Sequence, residues 1–397
     1  MAVDVVLAGG DVSDSALARA ANGGPVADRG TTGDAAGMLL SVADAERLAA
    51  ASLPPQVQDF VSGGSGAELT RRANLAAFDD VFVVPRSLAD VSACAPQATL
   101  AGCDAAMPVA VAPMAYQRMV HPEGEVALAA ACARAGIPFT AAMLSSMTIE
   151  EIAAAGGCLW LQLYWLRDRG VILDVIRRAA AAGCRALMLT VDLPEVGRRL
   201  RDLRNGFAFP DGVYAANLAP DGDAAHRQPG VPGQSALADH TAAVFDPSLR
   251  WSDVAWLAGQ TSLPLLLKGV LDAEDARRAA DTGIAGIVVS NHGGRQLDGA
   301  VPSVTALPWI VDAVAGRCPV LLDSGVRGGT DVLKSLALGA TGVLLGRPAL
   351  WGLAAGGSDG AAEVLGLLAE EFRQAMVLAG CPDVAAVSAL RTVSRRG

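Results

Sequence analysis

The sequence predicts an α/β chain of the (β/α)8, TIM-barrel class, and three observations carry that reading. Beyond residue 105, short apolar runs of strand length alternate with Ala-rich segments of helical length, the pattern of parallel strands joined by crossover helices. Eight such runs occur: Pro108 to Ala112, Pro138 to Met143, Leu159 to Tyr164, Ala186 to Asp192, Pro264 to Lys268, Gly286 to Ser290, Pro319 to Asp323 and Gly342 to Gly346. Eight units within about 250 residues suit a closed barrel better than the alternative, an open doubly wound sheet. Polar or glycine-rich turns follow the runs, where a barrel keeps its functional loops.

Taken in order, Met1 to about Gly37 is small and polar, with turns at Gly23-Gly24-Pro25 and Thr31-Thr32-Gly33-Asp34. It reads as a flexible tail, so the expected division is a tail over 1–38 and a barrel domain over 39–397. A helical pattern begins at Ser41, a fitting N-cap, with Leu48, Leu53 and Val57 as apolar contacts. The barrel units follow. One connection breaks their rhythm: about seventy residues separate the fourth and fifth runs, a length typical of a lid or binding loop. That connection carries Pro210-Asp211-Gly212, Pro220-Asp221-Gly222 and Pro229-Gly230.

Composition narrows the function. Hydrophobic residues are 52% of the 397 and charged residues 18%, which excludes global disorder. Lys plus Arg number 31 against 41 Asp plus Glu, a formal charge of −10, with no basic run. Nucleic acid and anionic membrane are therefore excluded as main partners, and a small molecule is expected. No apolar run reaches the roughly 18 residues of a membrane span. Asp4 precedes the first short apolar stretch without a basic region, so no secretory signal is read and a cytoplasmic location is expected. The seven cysteines are odd in number and scattered. They are read as reduced, core-filling thiols, neither a disulfide frame nor a metal site.

The carboxyl ends of the runs carry Pro113-Met114-Ala115, Ser145, Gln162 and Tyr164, Thr190 and Asp192, Lys268, Asn291-His292, Asp323 and Gly346-Arg347. A near-complete ring of polar groups on so apolar a chain points to a ligand. Asp323-Ser324-Gly325-Val326-Arg327-Gly328-Gly329-Thr330 and Gly346-Arg347-Pro348 follow the seventh and eighth runs, where barrels bind phosphate through backbone amides, helix N-termini and arginine. Lys268 ends an apolar run; it either snorkels to water or faces the ligand. His292, one of four histidines, opens Ser290-Asn291-His292-Gly293-Gly294-Arg295-Gln296-Leu297-Asp298-Gly299. A histidine in a glycine turn is often merely solvated. With Asp192 at another strand end and Arg295 three residues on, it reads instead as a general base beside a carboxylate clamp; Arg198 and Arg199 are either a solvated loop pair or the source of a second guanidinium for that clamp.

The stretches SNHGGRQLDG, DSGVRGGTDVLKSLALGA, LLGRP, HPEGE, LTVDLPEVGRR and LPLLLKGV, in order from about Ser41 to the C-terminus, resemble the FMN-dependent α-hydroxy-acid oxidases and dehydrogenases. YQRMVHPEGE, RLRDLRNGFAFP and ALADHTAAVF are most similar to the mandelate and 4-hydroxymandelate oxidase branch. The resemblance implies that Pro113, Met114, Ala115, Ser145, Gln162, Thr190 and Ser290 line FMN. Lys268 would face the flavin N1/C2 edge, and Asp323, Ser324, Gly325, Arg327, Gly346 and Arg347 would hold the ribityl chain and phosphate. It further implies His292 as base, Asp192 as its partner, Arg199 and Arg295 on the substrate carboxylate, Tyr164 on the substrate oxygen, and Tyr116 and Phe60 against the substrate.

Two departures stand out. Phe60 occupies a position where many members carry tyrosine, and the loop through Ser145-Ser146-Met147-Thr148 is shorter than in glycolate-oxidising members. Both suit an aromatic substrate. The implied activity is oxidation of an (S)-2-hydroxy acid to the 2-oxo acid with oxygen reduced to hydrogen peroxide, in a homotetramer. Ala115 favours oxygen as acceptor. The alternatives are a lactate or glycolate oxidase, or a mandelate dehydrogenase using another electron acceptor.

Overall fold

Ser41 sits at the head of the first helix with an extended backbone, and its hydroxyl accepts from the Asp44 amide at 3.3 Å. One orphan N–H of α1 (Val42–Ser52) is thereby satisfied, and Val42, Ala45 and Ala49 turn inward. The computed structural model describes residues 39–218, 233 and 236–395. The expected tail over 1–38 and the turns at Pro220-Asp221-Gly222 and Pro229-Gly230 lie outside these residues. Leu53 and Val57 are buried and Leu48 packs against the same core. Next come α2 (Pro55–Ser62) and α3 (Leu69–Asp79). The Asp298 carboxylate, from far along the chain, accepts the Ala67 and Thr70 amides at 2.8 and 2.9 Å and so caps α3 in place of its own N-cap residue.

Strands β1 (Val81–Val83), β2 (Ala98–Leu100) and β3 (Cys103–Ala105) precede the barrel. Its units are β4 (Val109–Val111) with α4 (Gly124–Ala135), β5 (Phe139–Ala141) with α5 (Ile149–Ala153), and β6 (Leu159–Leu163) with α6 (Arg169–Ala181). Strand β7 (Ala186–Thr190) is followed by three helices, α7 (Leu200–Asn205), α8 (Ala236–Val244) and α9 (Trp251–Ala258). The last units are β8 (Leu265–Val270) with α10 (Ala273–Asp281), β9 (Gly286–Val289) with α11 (Ser303–Val314), β10 (Val320–Leu322) with α12 (Gly329–Ala337), and β11 (Gly342–Leu345) with α13 (Arg347–Leu378). α14 (Val384–Ser388) and β12 (Thr392–Ser394) end the described chain, with β12 antiparallel to β1.

Strands β4 to β11 close into an all-parallel barrel through β11–β4 and β9–β10 pairing, so each of the eight predicted runs contributes a strand. Their residues are buried on both faces, as parallel strands between a packed lumen and a ring of helices must be. The lumen holds Ala110, Trp160, Met188, Leu266, Val288, Leu321 and Leu344. The β2–β3 hairpin closes its amino-terminal end, adding Leu100, Cys103 and Ala105 to the same cluster. With that end plugged, the loops at the carboxyl ends are left to form a site. Among the described residues no helix is long and apolar enough to cross a membrane.

One expectation is overturned. Cys103 and Cys158 are joined in a disulfide, while Cys94, Cys132, Cys184, Cys318 and Cys381 are free. The partners lie 55 residues apart and meet because the hairpin folds under the barrel beside the start of β6. Alkylation of the denatured chain without reductant is expected to modify five thiols, the free cysteines, and seven after reduction. Seven before reduction would contradict the bridge.

Candidate active site

Residues from the carboxyl ends of the strands converge on one cleft. At its floor the Lys268 ammonium, buried at the end of β8, sits 3.0 Å from Asp323 Oδ2 and donates to Ser290 Oγ at 2.9 Å. Burial works against the Lys268 charge, but Asp323 and Asp192 outweigh it and hold the ammonium above its ordinary range. Ser290 Oγ also accepts the His292 amide at 3.0 Å, which ties the lysine to the turn that follows β9. Gln162 accepts the Met143 amide and donates to Thr190 Oγ1 at 3.0 Å, bracing three neighbouring strands.

His292 begins a tight turn with φ +58, a left-handed conformation that histidine adopts more readily than most residues. Asn291 holds that turn: its carbonyl oxygen accepts the Gly294 amide, and it forms a reciprocal amide pair with Asn74 at 2.7 and 2.8 Å. His292 Nδ1 lies 3.0 Å from Asp192 Oδ1. Burial works against the Asp192 charge, yet His292 and Lys268 hold the carboxyl below the usual carboxylate range. An ionised carboxylate only accepts, so Nδ1 carries the proton and donates, which leaves Nε2 as the basic nitrogen. Burial keeps the His292 ring below the ordinary imidazole range despite the opposing pull of Asp192, so the ring is neutral at pH 7.

Two guanidinium groups share the adjoining wall. Arg199 at the head of α7 is buried, and its Nε and Nη1 find no hydrogen-bond partner among the described residues. Arg295 Nη1 donates to Phe60 O at 2.6 Å and Gly63 O at 3.0 Å. Both groups lie over the Phe60 ring, at 5.4 and 5.1 Å from its centroid. Burial presses both below the ordinary arginine range, and repulsion from Arg199 and Arg347 presses Arg295 further, so that it is lowered most. Buried Asp202 offsets part of this, but it forms no ion pair within 4 Å with either arginine among the described residues. Guanidinium does not give up its proton, so a corner like this takes an anion.

The rest of the wall is aromatic. Phe207 and Phe209, from the long connection after β7, pack on Phe60 with centroids 4.6 and 6.5 Å away, and Phe209 meets Tyr116 at 4.4 Å. Tyr164 stacks on Phe245 at 4.6 Å. Burial, with the Asp192 charge adding to it, pushes the Tyr164 hydroxyl above its ordinary range and keeps it a donor. At the far end Gly325 has φ +108, and a Cβ there would lie 2.5 Å from Asn74 O, so only glycine fits. Arg327 and Arg347 line the cleft beside the N-termini of α12 and α13. Burial brings Arg327 down to about 10 and, with Arg327 and Arg71 near, Arg347 to about 9. Cations, helix ends and a glycine cradle suit a phosphate there.

Phe60, Pro113, Met114, Ala115, Tyr116, Gln162, Tyr164, Arg199, Lys268, His292, Arg295, Asp323, Ser324, Gly325, Arg327, Gly346 and Arg347 all line the cleft. Asp192, Thr190 and Ser290 stand behind it, acting on residues that do. Ser145 is not brought in: its hydroxyl donates to Ala142 O at 2.7 Å and the residue is fully buried. Its neighbour Ser146 is held by Glu125, a buried carboxylate that accepts the Ser146 amide and hydroxyl and the Gln117 amide at 2.7 to 3.0 Å. Leu237, Thr241 and Phe245 also line the cleft and were not singled out from the sequence; their i, i+4, i+8 spacing was the available signal. A buried ammonium at one end, a shelf of Pro113, Met114 and Ala115, and the phosphate cradle at the other fit FMN.

Comparison with known proteins agrees with this geometry. Residues 49–393 match the family described as FMN-dependent dehydrogenase. The chain is 55% identical over 353 residues to a 4-hydroxymandelate oxidase of Amycolatopsis orientalis, covering 89% of this chain and 98% of that protein. It is 45% identical over 344 residues to an L-lactate oxidase of Nostoc, covering 85% and 94%. The crystal structure of a mandelate oxidase with (S)-4-hydroxymandelic acid superposes with TM-score 0.87 at 54% identity, covering 89% of this chain and 99% of the other. The chain belongs to the FMN-dependent dehydrogenase family.

Proposed function

We propose that this enzyme oxidises an (S)-2-hydroxy acid bearing an aryl group, mandelate or 4-hydroxymandelate, to the corresponding 2-oxo acid, with oxygen reduced to hydrogen peroxide. The observation that carries the reading is the His292–Asp192 pair, 3.0 Å apart, in the same cleft as the buried Arg199 and half-buried Arg295 guanidinium groups. Arg199 and Arg295 bind the substrate carboxylate, which removes much of the orientational cost of the reaction. Tyr164 donates to the substrate oxygen, and the aryl group rests against Leu237, Thr241, Phe245 and the Phe60 cluster. His292 Nε2 takes the substrate proton, and Asp192 stabilises the imidazolium that results. FMN, when bound, accepts the two electrons and passes them to oxygen. Lys268 and Asp323 lie at the cofactor end, where the ammonium offsets negative charge as it develops. Each turnover converts one hydroxy acid and one oxygen molecule into one oxo acid and one hydrogen peroxide. A homotetramer and a cytoplasmic location are proposed on the sequence reading.

Aryl preference is favoured by Phe60 and its aromatic neighbours. It predicts that kcat/KM for (S)-mandelate and 4-hydroxymandelate exceeds that for lactate and glycolate by roughly tenfold or more, with peroxide formed one-to-one with oxo acid. Preference for lactate would instead favour the short-chain reading, for which the 45% identical Nostoc enzyme is the precedent. His292→Ala is expected to retain FMN while its anaerobic reduction by substrate slows by about 10²- to 10⁴-fold, the worth of a general base. Reduction at the wild-type rate would end that assignment. The free base is the active form and burial lowers its pKa. So kcat/KM should be flat from neutral pH upward and fall only below the ordinary imidazole midpoint of about 6.5. An acid limb centred above 7 would contradict the burial argument.

A further inference from the structure

We infer that Gln296 is a positioning residue whose side chain sets the gap between the two loops carrying the acid–base pair and the guanidinium pair. The inference rests on the functional reading above. The loop after β7 carries Asp192 and Arg199; the loop after β9 carries His292 and Arg295. Gln296 Nε2 donates to Asp192 O at 2.9 Å and to Glu195 O at 2.8 Å, while Oε1 accepts the Gly197 amide at 3.1 Å. Both amide hydrogens and the amide oxygen are thus used on one short stretch of the opposite loop. The backbones also touch. A Cβ at Gly197 would press on Arg295 O and lie 2.8 Å from Gln296 Cα, so a side chain at 197 would drive the loops apart.

A third segment locks the seam. Ser65 Oγ donates to Gln296 O, the Ser65 amide donates to Gly294 O at 2.9 Å, and the Gly66 amide donates to Arg198 O at 2.9 Å. Fixing the Asp192 carbonyl orients the carboxylate that meets His292 Nδ1. Fixing Glu195 and Gly197 sets where α7 begins, and Arg199 is the residue at its head. Gln296 itself does not line the cleft. Its effect on the reaction passes through the spacing of four other side chains, a quantity to which rates are steeply sensitive.

The test compares the FMN-loaded wild type with Gln296→Leu and Gln296→Glu by anaerobic flavin reduction with (S)-mandelate across pH, together with FMN content and Tm. Gln296→Leu is expected to keep its FMN and lose roughly 100-fold in reduction rate at every pH. Ionised glutamate at this position faces two carbonyl oxygens, which raises its pKa above about 4.3. Gln296→Glu is therefore expected to match the Leu variant near pH 8 and to recover as pH falls, when the protonated carboxyl regains one donor. Its rate relative to wild type should rise by about tenfold or more between about pH 8 and pH 5.5. A glutamine that merely stabilises the fold would lower Tm and leave that ratio flat with pH; a flat ratio, or wild-type rates in both variants, overturns the inference. If no 2-hydroxy acid reduces the wild type, the functional reading fails, and amide exchange over Asp192 to Arg199 decides the clamp. Exchange about tenfold faster or more in Gln296→Leu supports it, and unchanged exchange overturns it.

Discussion

Two guanidinium groups held over one phenyl ring, with too little negative charge around them, are the constraint to which the rest of the cleft answers. Arg199 and Arg295 stand near each other at 5.4 and 5.1 Å from the Phe60 ring centroid, largely out of water. Burying like charges is costly unless something neutralises them. Backbone carbonyls of Phe60 and Gly63 take part of the Arg295 charge, and Asp202 offsets part of the charge on both groups without forming an ion pair to either within 4 Å among the described residues. A phenyl ring at position 60 contributes an attractive face but no hydroxyl, so the anchoring of an anion falls to the arginines themselves. Phe207 and Phe209 then exclude water from that corner, which strengthens the attraction for a carboxylate.

The remaining charges are ordered around this corner. Lys268 is neutralised by Asp323, and both are stitched through Ser290 to the turn bearing His292. Asp192 faces His292 from the neighbouring loop and keeps the proton on Nδ1. At the reacting end Lys268 pairs with Asp323 and His292 with Asp192, whereas neither guanidinium has a carboxylate within 4 Å among the described residues. A second cationic cluster, Arg327 and Arg347, sits at the opposite end with the glycine cradle. One cleft therefore offers two separate anion sites with an apolar shelf between them, which matches a phosphorylated flavin and a small carboxylate bound side by side.

Much of this was legible in the chain. Eight apolar runs alternating with Ala-rich segments read as parallel strands under helices, and their number favoured a closed barrel over an open doubly wound sheet, which the strand pairing then decides. His292 was visible because histidine is rare here and sits in a turn after a run; Arg327 and Arg347 because glycine and arginine recur where barrels hold phosphate. What pattern could not reach was proximity. Cys103 and Cys158 are unremarkable alone and meet only through the hairpin under the barrel. Ser145 follows a strand yet turns its hydroxyl back on Ala142 O, a local bond that the pattern does not reveal. Gln296 and Asp298 work across gaps of about a hundred residues and more, on backbone groups that carry no sequence signature.

The most direct test of the charge argument is equilibrium binding of an anion against its neutral isostere to the oxidised, FMN-loaded enzyme. Benzoylformate and benzoylformamide differ by a carboxylate against an amide at nearly constant shape. If the guanidinium pair is the anchor, the acid should bind more tightly by about 2 kcal/mol or more, roughly thirtyfold. Substituting Arg199 or Arg295 with leucine should erase most of that difference. Equal affinity for acid and amide in the wild-type enzyme would contradict the account.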